Sequence, residues 1–409
     1  MNFIVKGYCR VFQKAMKYGM YVMPWRTPEI LEGEDALVQM AEKMRQKNYH
    51  RVLVVTDQGL AQIGLYRRVT DVLESAGVPY VLYTKTIPNP TIANVEEALS
   101  MYKEGGCDAI VAIGGGSAID CGKVVGARAV KPNQSVEKMK GILRIHRKTP
   151  DFYAVPTTAG TGSETTLAAV ITNQKTRHKY PINDFALIPD YAVLDPGLTV
   201  NLPRKITSTT GMDVLTHAVE AYIGGSNTKK TKEQALCAVR LVFDYLYRAY
   251  ENGRDMEARE FMQEASFQAG AAFTRAYVGN VHAMAHALGG AYRVPHGLAN
   301  AVILPYVLEY YGKTVYRKLA RLSEAAGVAL EEESDEAKAK AFIAAIRELN
   351  KRMEIPEKIS GIRRKDIPVL AVWASQEANP LYPVPVIFGR RDFRELYSRI
   401  MEEEHEPDN

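Results

Sequence analysis

From Tyr49 onward, apolar and polar positions fall into two alternating rhythms. Arg51–Thr56 (RVLVVT) is a β-branched apolar run, and Gly59–Ala76 follows with apolar positions at helical spacing. Pro79–Tyr83 reads as a second strand and Thr91–Lys103 as a second helix. Asp108–Ile113 (DAIVAI) is a third strand opening into Gly114-Gly115-Gly116-Ser117, and Tyr153–Val155 and Ala192–Leu194 add strands further on. Strands that are apolar on both faces, separated by helices, predict a largely parallel sheet with helical layers on both sides. Past Asp195-Pro196 and Leu202-Pro203 the strand rhythm almost vanishes. Thr209–Tyr222, Lys232–Tyr250, Asp255–Phe273 and Ala301–Tyr311 then carry helical patterns. The expected organisation is an α/β, Rossmann-like domain with a parallel sheet over residues 27–203, followed by an all-α domain over 204–409.

The first 26 residues fit neither domain. Phe3, Ile4, Val5, Tyr8, Val11, Phe12 and Met16 interleave with Lys6, Arg10, Lys14, Lys17 and Arg26, and residues 1–28 contain no acid. The segment reads as a basic amphipathic helix, either packed on the protein or its dimer partner, or docking on a membrane surface or a shell. It lacks the uninterrupted apolar stretch and small-residue cleavage site of a secretory signal. With a formal net charge of +5 overall, the remaining residues carry as many basic as acidic side chains. The main body therefore has no basic excess of the kind that binds nucleic acid.

At 409 residues, the chain is long enough for two cores, and 46% hydrophobic with 24% charged residues is ordinary for a globular protein. No stretch approaches the roughly 20 apolar residues that span a bilayer. Cys9, Cys107, Cys121 and Cys237 are scattered and form no C-x-x-C pair. That usage suits a reducing compartment, so a cytoplasmic location is expected.

Two loops carry candidate phosphate chemistry. Gly114-Gly115-Gly116-Ser117-Ala118-Ile119-Asp120 follows a buried strand and opens a helix. Its glycines allow close backbone approach, and the helix start offers unpaired N–H groups. Ser117 and Asp120 also stand at capping-box spacing. Pro156-Thr157-Thr158-Ala159-Gly160-Thr161-Gly162-Ser163-Glu164 reads in the same way, as a second strand-to-helix turn with Thr161 and Glu164 at capping spacing. Together the two loops point to a dinucleotide cleft, although neither is G-x-G-x-x-G. Asp57, at the end of the first strand, is equally a helix N-cap or a carboxylate for the hydroxyls of an adenosine ribose.

The helical half holds a candidate metal site. Asp213 and His217 are i, i+4 on one helix face, His282 and His286 repeat the spacing, Gly289-Gly290 is expected to break that helix, and Pro295-His296-Gly297 follows. One carboxylate with three imidazoles suits Zn²⁺ or Fe²⁺, and spacing alone leaves His286 and His296 as alternatives. A divalent ion lowers the pKa of an alcohol oxygen, and the resulting alkoxide can release hydride to a nicotinamide held in contact with it.

These motifs resemble the iron-containing (group III) alcohol dehydrogenase family. The resemblance rests on Gly-Gly-Gly-Ser-x-x-Asp, Pro-Thr-Thr-x-Gly-Thr-Gly-Ser-Glu, Gly211-Met212-Asp213-x-x-x-His217-Ala218-x-Glu220, His282-x-x-x-His286 and Pro295-His296-Gly297. Pro88-Asn89-Pro90 and Asp195-Pro196 match as well, and the likeness runs from about Pro28 to about Tyr397. It implies an NAD-linked dehydrogenase of small primary alcohols or diols, with aldehyde or ketone as the oxidised partner. It places the metal, Fe²⁺ or Zn²⁺, on Asp213, His217, His282 and His296, and leaves His286 either as a support behind those ligands or as a proton relay, near the substrate. Dinucleotide contacts fall on Asp57, Asn89, Gly115, Gly116, Ser117, Thr157, Thr158 and Lys179, with NADP less favoured than NAD because of the Asp57 carboxylate. A homodimer or larger homo-oligomer is implied, with a cleft between the two domains. Residues 1–26 precede the region of likeness and inherit no role from it. The competing reading is an NAD-using, metal-dependent lyase of the dehydroquinate synthase type. Such an enzyme needs more cationic side chains than the apolar windows around Ala276, Val278, Ala283, Ala287 and Leu288 supply.

Overall fold

The computed structural model describes residues 1–176, 178–329 and 333–402, and two compact units emerge from it. One comprises Pro24–Leu202 with Arg254–Gln263; the other comprises Met1–Met23, Pro203–Gly253 and the chain from Glu264 on. The contiguous division drawn from the sequence lacks both the short return at 254–263 and the attachment of residues 1–23 to the helical unit. The last residues of the expected helical domain, 403–409, lie outside the described residues.

In the first unit a six-stranded parallel sheet runs in the order β1-β9-β6-β4-β2-β3. Its strands are β1 (Glu29–Glu32), β2 (Val52–Asp57), β3 (Tyr80–Thr86), β4 (Ala109–Gly114), β6 (Asp151–Pro156) and β9 (Tyr191–Leu194). A smaller sheet joins β5 (Gly141–Ile142), β8 (His178–Asn183) and β7 (Ala168–Asn173), with β7 and β8 antiparallel. Successive side chains of β2 point to opposite faces, which divides the core in two. Val52 and Val54 pack with Met40, Met44 and Leu73, whereas Leu53 and Val55 pack with Leu99, Val124 and Phe152. Burial on both faces is why these strands read as unbroken apolar runs.

In chain order, helix α1 (Phe3–Gly19) precedes the sheet. Those of the α/β unit are α2 (Ala36–Lys47), α3 (Gln58–Ile63), α4 (Arg67–Ser75), α5 (Ile92–Glu104) and α6 (Gly116–Val130). The chain continues through α7 (Arg204–Ile223), α8 (Lys229–Glu251), α9 (Met256–Ala276), α10 (Asn280–Tyr292) and α11 (His296–Tyr311). It ends with α12 (Tyr316–Ala325), α13 (Asp335–Arg352), α14 (Ile367–Ala378) and α15 (Arg390–Ile400). Among the described residues no named strand follows β9. Helix α7 is buried almost continuously from Thr207 to Ile223, so it forms the axis of the helical unit.

Four local expectations are corrected. The helix expected over Gly59–Ala76 is two helices, parted at Gly64, whose φ of 72° is the left-handed conformation that ends α3. Asp120 does not cap α6; its carboxylate accepts from Ser163 Oγ and from the Val170 backbone N–H. The Pro156–Glu164 loop opens no helix, because the chain passes through turns into β7, and Glu164 is buried rather than capping. Gly289-Gly290 does not break α10, which continues to Tyr292 and ends at Arg293 in the left-handed region.

Candidate metal centre and dinucleotide loops

Three helices converge to build the centre. Asp213, His217 and Glu220 lie at i, i+4 and i+7 along α7 and share one face. α10 contributes His282, and α11 begins at His296 directly after Pro295, which serves as its N-cap position. The backbones approach closely enough to bring these side chains together. A Cβ on Gly297 would stand 2.3 Å from the Thr209 carbonyl oxygen, so only glycine lets the start of α11 lie against α7.

The donor atoms of Asp213, His217, His282 and His296 all lie within 4.8 Å of one another. Asp213 Oδ1 is 3.5 Å from His296 Nε2 and 3.8 Å from His282 Nε2. Ligands about 2.1 Å from a tetrahedral ion stand roughly 3.4 Å apart, so the spacing fits Zn²⁺ or Fe²⁺. Asn300, four residues after His296, supports the same reading. Its Nδ2 sits 2.6 Å from Asp213 Oδ1, 3.2 Å from His282 Nε2 and 3.1 Å from His296 Nε2. One carboxylate oxygen and two ring nitrogens thus converge on a single amide nitrogen, so the candidate ligand atoms share a common focus.

Glu220 determines how His282 presents itself. Its carboxylate accepts from the Gly279 N–H at 2.7 Å, the Val281 N–H at 2.8 Å and His282 Nδ1 at 2.7 Å. Burial raises Glu220 to about 7, opposed by those donors. The two backbone N–H groups can only donate, so the structure calls for the carboxylate form. Burial also drives His282 well below its ordinary range, which keeps the ring neutral. With Nδ1–H committed to Glu220, the Nε2 lone pair faces Asp213. Asp213 is itself raised by burial and drawn back by His217 and Asn300. Phe273 lies flat on His217 with ring centroids 4.1 Å apart, forming an apolar wall.

His286 lies outside this set of four. Its ring stacks on His296 with centroids 5.1 Å apart, and its Nδ1 hydrogen-bonds Glu377, which also accepts from Tyr382 Oη at 2.8 Å. Glu220, Asn300 and Glu377 were not singled out as site residues from the sequence. The first two did carry a signal, at i+7 from Asp213 and i+4 from His296; Glu377 carried none.

In the α/β unit, β2 and β4 are neighbours from whose ends the chain departs to opposite sides, a topological switch point. Asp57 ends β2 there. Its Oδ1 caps α3 by accepting from the Leu60 N–H at 2.9 Å, so the capping role is real. Its Oδ2 faces Gly114, where an added Cβ would stand 3.0 Å away. The Thr157 N–H donates to the Gly114 carbonyl at 3.1 Å, and Thr158 lies 3.7 Å from where a Gly115 Cβ would be. The Asn89 N–H donates to Ser117 Oγ at 3.2 Å, and Lys179 Nζ donates to Asn89 Oδ1 at 2.6 Å. All eight dinucleotide candidates therefore gather beyond the C-terminal ends of the strands, around the start of α6. Burial lowers Lys179, while the charge of Asp120 favours its protonated form.

A parallel sheet with glycine-rich strand ends and a helical unit bearing an Asp-His₃ cluster are the two parts that a dinucleotide-linked, metal-dependent enzyme requires. Residues 27–196 match the family described as Iron-containing alcohol dehydrogenase, and residues 207–401 match Fe-containing alcohol dehydrogenase family, C-terminal. Alcohol dehydrogenase 4 of Saccharomyces cerevisiae is 38% identical over 348 residues, covering 85% of this chain and 90% of that one. A 1,3-propanediol dehydrogenase of Klebsiella pneumoniae is 38% identical over 351 residues, covering 85% and 90%. A crystal structure of a 1,3-propanediol oxidoreductase superposes with a TM-score of 0.88 at 34% identity, covering 93% of this chain and all of that one. The chain belongs to the iron-containing alcohol dehydrogenase family and is a nicotinamide-dinucleotide-linked, metal-dependent alcohol oxidoreductase. Among the described residues, no helix is long and apolar enough to cross a membrane.

Proposed function

We propose that the enzyme interconverts a short primary alcohol or diol with its carbonyl partner, with NAD preferred over NADP and one Fe²⁺ or Zn²⁺ ion held by Asp213, His217, His282 and His296. The observation that carries this reading is the convergence of those four donors on one point, with Asn300 Nδ2 directed at three of them. When bound, a divalent ion supplies Lewis acidity that lowers the pKa of an alcohol hydroxyl. The chain's own residues prepare the site for that chemistry. Glu220 holds His282 in the tautomer whose Nε2 can ligate. Glu377 engages Nδ1 of His286, which leaves Nε2 to pass the hydroxyl proton toward solvent; the His286 side chain is 42% exposed.

Asp57, Asn89, Gly115, Gly116, Ser117, Thr157, Thr158 and Lys179 would hold the dinucleotide. The N-terminus of α6 would offer its N–H groups to the phosphates, and the Asp57 carboxylate would be available to the hydroxyls of the adenosine ribose. A small substrate is supported by the kinship with a dehydrogenase named for 1,3-propanediol, and a homodimer or larger assembly by the family resemblance.

The test is NADH formation over a panel of short alcohols and diols, with enzyme reconstituted separately with each metal. His217→Ala and His282→Ala should lose both bound metal and turnover. His286→Ala should keep the metal and lose roughly 10²–10⁴-fold in rate. Loss of metal in His286→Ala together with retention in His296→Ala would overturn the ligand assignment.

A further inference from the structure

Helix α1 lies outside the residues that match the family, yet it is tied to the helical unit in an unusual way. Its apolar residues Ile4, Tyr8, Val11 and Tyr18 are exposed, while the side facing the protein carries Cys9, Arg10, Gln13 and Lys17. Arg10, Gln13 and Lys17 each donate to backbone carbonyls. Arg10 donates to the carbonyls of Val384 and Pro385, both at 2.6 Å. Gln13 Nε2 donates to those of Tyr382 at 2.7 Å and Pro380 at 3.2 Å. Lys17 reaches the Gly225 carbonyl at 2.9 Å, and the Gly225 N–H in turn donates to the Pro383 carbonyl at 2.6 Å.

The segment being held has three prolines among six residues, Pro380 to Pro385. Proline offers no N–H and disfavours helix, so the segment's carbonyls need donors from outside. α1 supplies them. From the middle of the segment Tyr382 is buried and its Oη reaches Glu377, whose carboxylate engages His286 Nδ1.

We infer that α1 is a brace for the active site: Arg10 and Gln13 fix the Pro380–Pro385 segment so that Tyr382 and Glu377 hold the His286 ring in its working orientation. Arg10, Gln13, Tyr382 and Glu377 are positioning residues. The inference rests on the reading of His286 as the group that handles the substrate proton. A carboxylate on Nδ1 fixes the tautomer and the ring angle, and both are lost when the carboxylate drifts. Misplacement of a reacting group by about 1 Å costs on the order of 10²-fold in rate.

The experiment is a set of double-mutant cycles on the full-length, metal-loaded enzyme. Tyr382→Phe removes one hydroxyl without emptying its pocket, and Arg10→Met with Gln13→Leu removes the donors of the brace. Each is made alone and in the His286→Ala background, with melting temperature and bound metal measured alongside. The expected result is a roughly tenfold loss of kcat in both, with KM for NAD within about twofold of wild type and metal content unchanged. Arg10→Lys, which keeps a donor, should restore part of the loss seen with Arg10→Met. In the His286→Ala background the same substitutions should have no further effect, because the coupling runs through that ring. Wild-type kcat in the brace variants, or an equal loss with and without His286, would overturn the inference while leaving the reading of His286 intact. A His286→Ala enzyme with wild-type kcat would overturn that reading, and the brace with it.

Discussion

Glu220→Gln is the substitution whose consequences follow most directly from the structure. The glutamate is fully buried and receives three donors, two on Oε2 and one on Oε1. Glutamine has the same shape but only one oxygen. With that oxygen at the Oε2 position, Gly279 N–H and His282 Nδ1–H keep their acceptor, and the amide NH₂ then faces the Val281 N–H. Two donors in a buried space leave one group unsatisfied, at a cost of about 1–3 kcal/mol. For 409 residues, at about 2.1 cal/mol/K of unfolding entropy per residue, that lowers Tm by only about 1 °C per kcal/mol. The effect on the metal is separate. A carboxylate behind a ligating imidazole raises its basicity and fixes its ring, and its loss typically weakens metal binding about 10–100-fold. Competition against a chromophoric chelator gives the affinity directly, and thermal unfolding of metal-free protein gives the stability. Activity should return as the metal concentration is raised. Metal affinity within twofold of wild type would refute the argument, since it would mean that His282 does not need Glu220 to ligate.

The remaining predictions concern the α/β unit. Asp151 accepts from Tyr49 and Lys47, and although burial opposes ionisation, Lys47, Tyr49 and Lys148 hold its carboxyl down at about 2. A folded pKa below the unfolded value stabilises above about pH 4 and is lost as pH falls through 2, so Asp151→Asn should cost roughly 1–2 kcal/mol at pH 7 and much less near pH 2.5. Urea unfolding at both values tests this, and an equal difference at each would show that charge is not the cause. Asp57→Gly should relax coenzyme choice mainly by improving the NADP constants, because repulsion between the carboxylate and the 2′-phosphate is worth roughly 1–3 kcal/mol, or about ten- to a hundredfold. Stability should fall by only a few tenths of a kcal/mol, since glycine is a tolerated N-cap; a kcat/KM ratio between coenzymes that does not move would leave Asp57 as a helix cap alone.

How much of the fold the sequence disclosed depended on whether an element's environment is uniform. β2 and β4 are covered on both faces, so their composition announces them, and the helical spacing predicts α8 and α9 closely but starts α7 at Thr209 and α11 at Ala301 where the helices begin at Arg204 and His296. β7 and β8 form a hairpin that buries Ala169, Ile171, Tyr180 and Ile182 on one face, but both strands are short, Asn173 and Asn183 are poor strand formers, and Pro181 lies within β8. Gly64 was read as part of one helix and Gly289-Gly290 as a break, and both readings failed for the same reason. A glycine ends a helix only when the chain beyond it has somewhere better to go. At Gly64 the following residues form a new helix, whereas at Gly289 α10 continues to Tyr292.

The site was legible where chemistry imposes spacing on a single helix, and not where tertiary structure does the positioning. Asp213 and His217 can be paired from the sequence because four residues return a side chain to the same face. His296 belongs with them only because Gly297 lets α11 press against Thr209, a contact that no local pattern encodes. Glu377 lies 91 residues from His286, and what connects them is the packing of α14 beside α10. Glu220 shows why such residues are hard to see yet costly to change. It satisfies two backbone N–H groups at the start of α10, where the N-cap, Gly279, has no side chain to do so, and it orients a ligand with the same oxygens. A Cβ at Gly279 would stand 2.6 Å from Glu220 Oε1, so the glycine that leaves the helix uncapped is also what admits the carboxylate that caps it. Structural and chemical demands therefore fall on the same atoms. A substitution at Glu220 should never separate them completely, which is why its stability and metal affinity need to be measured apart.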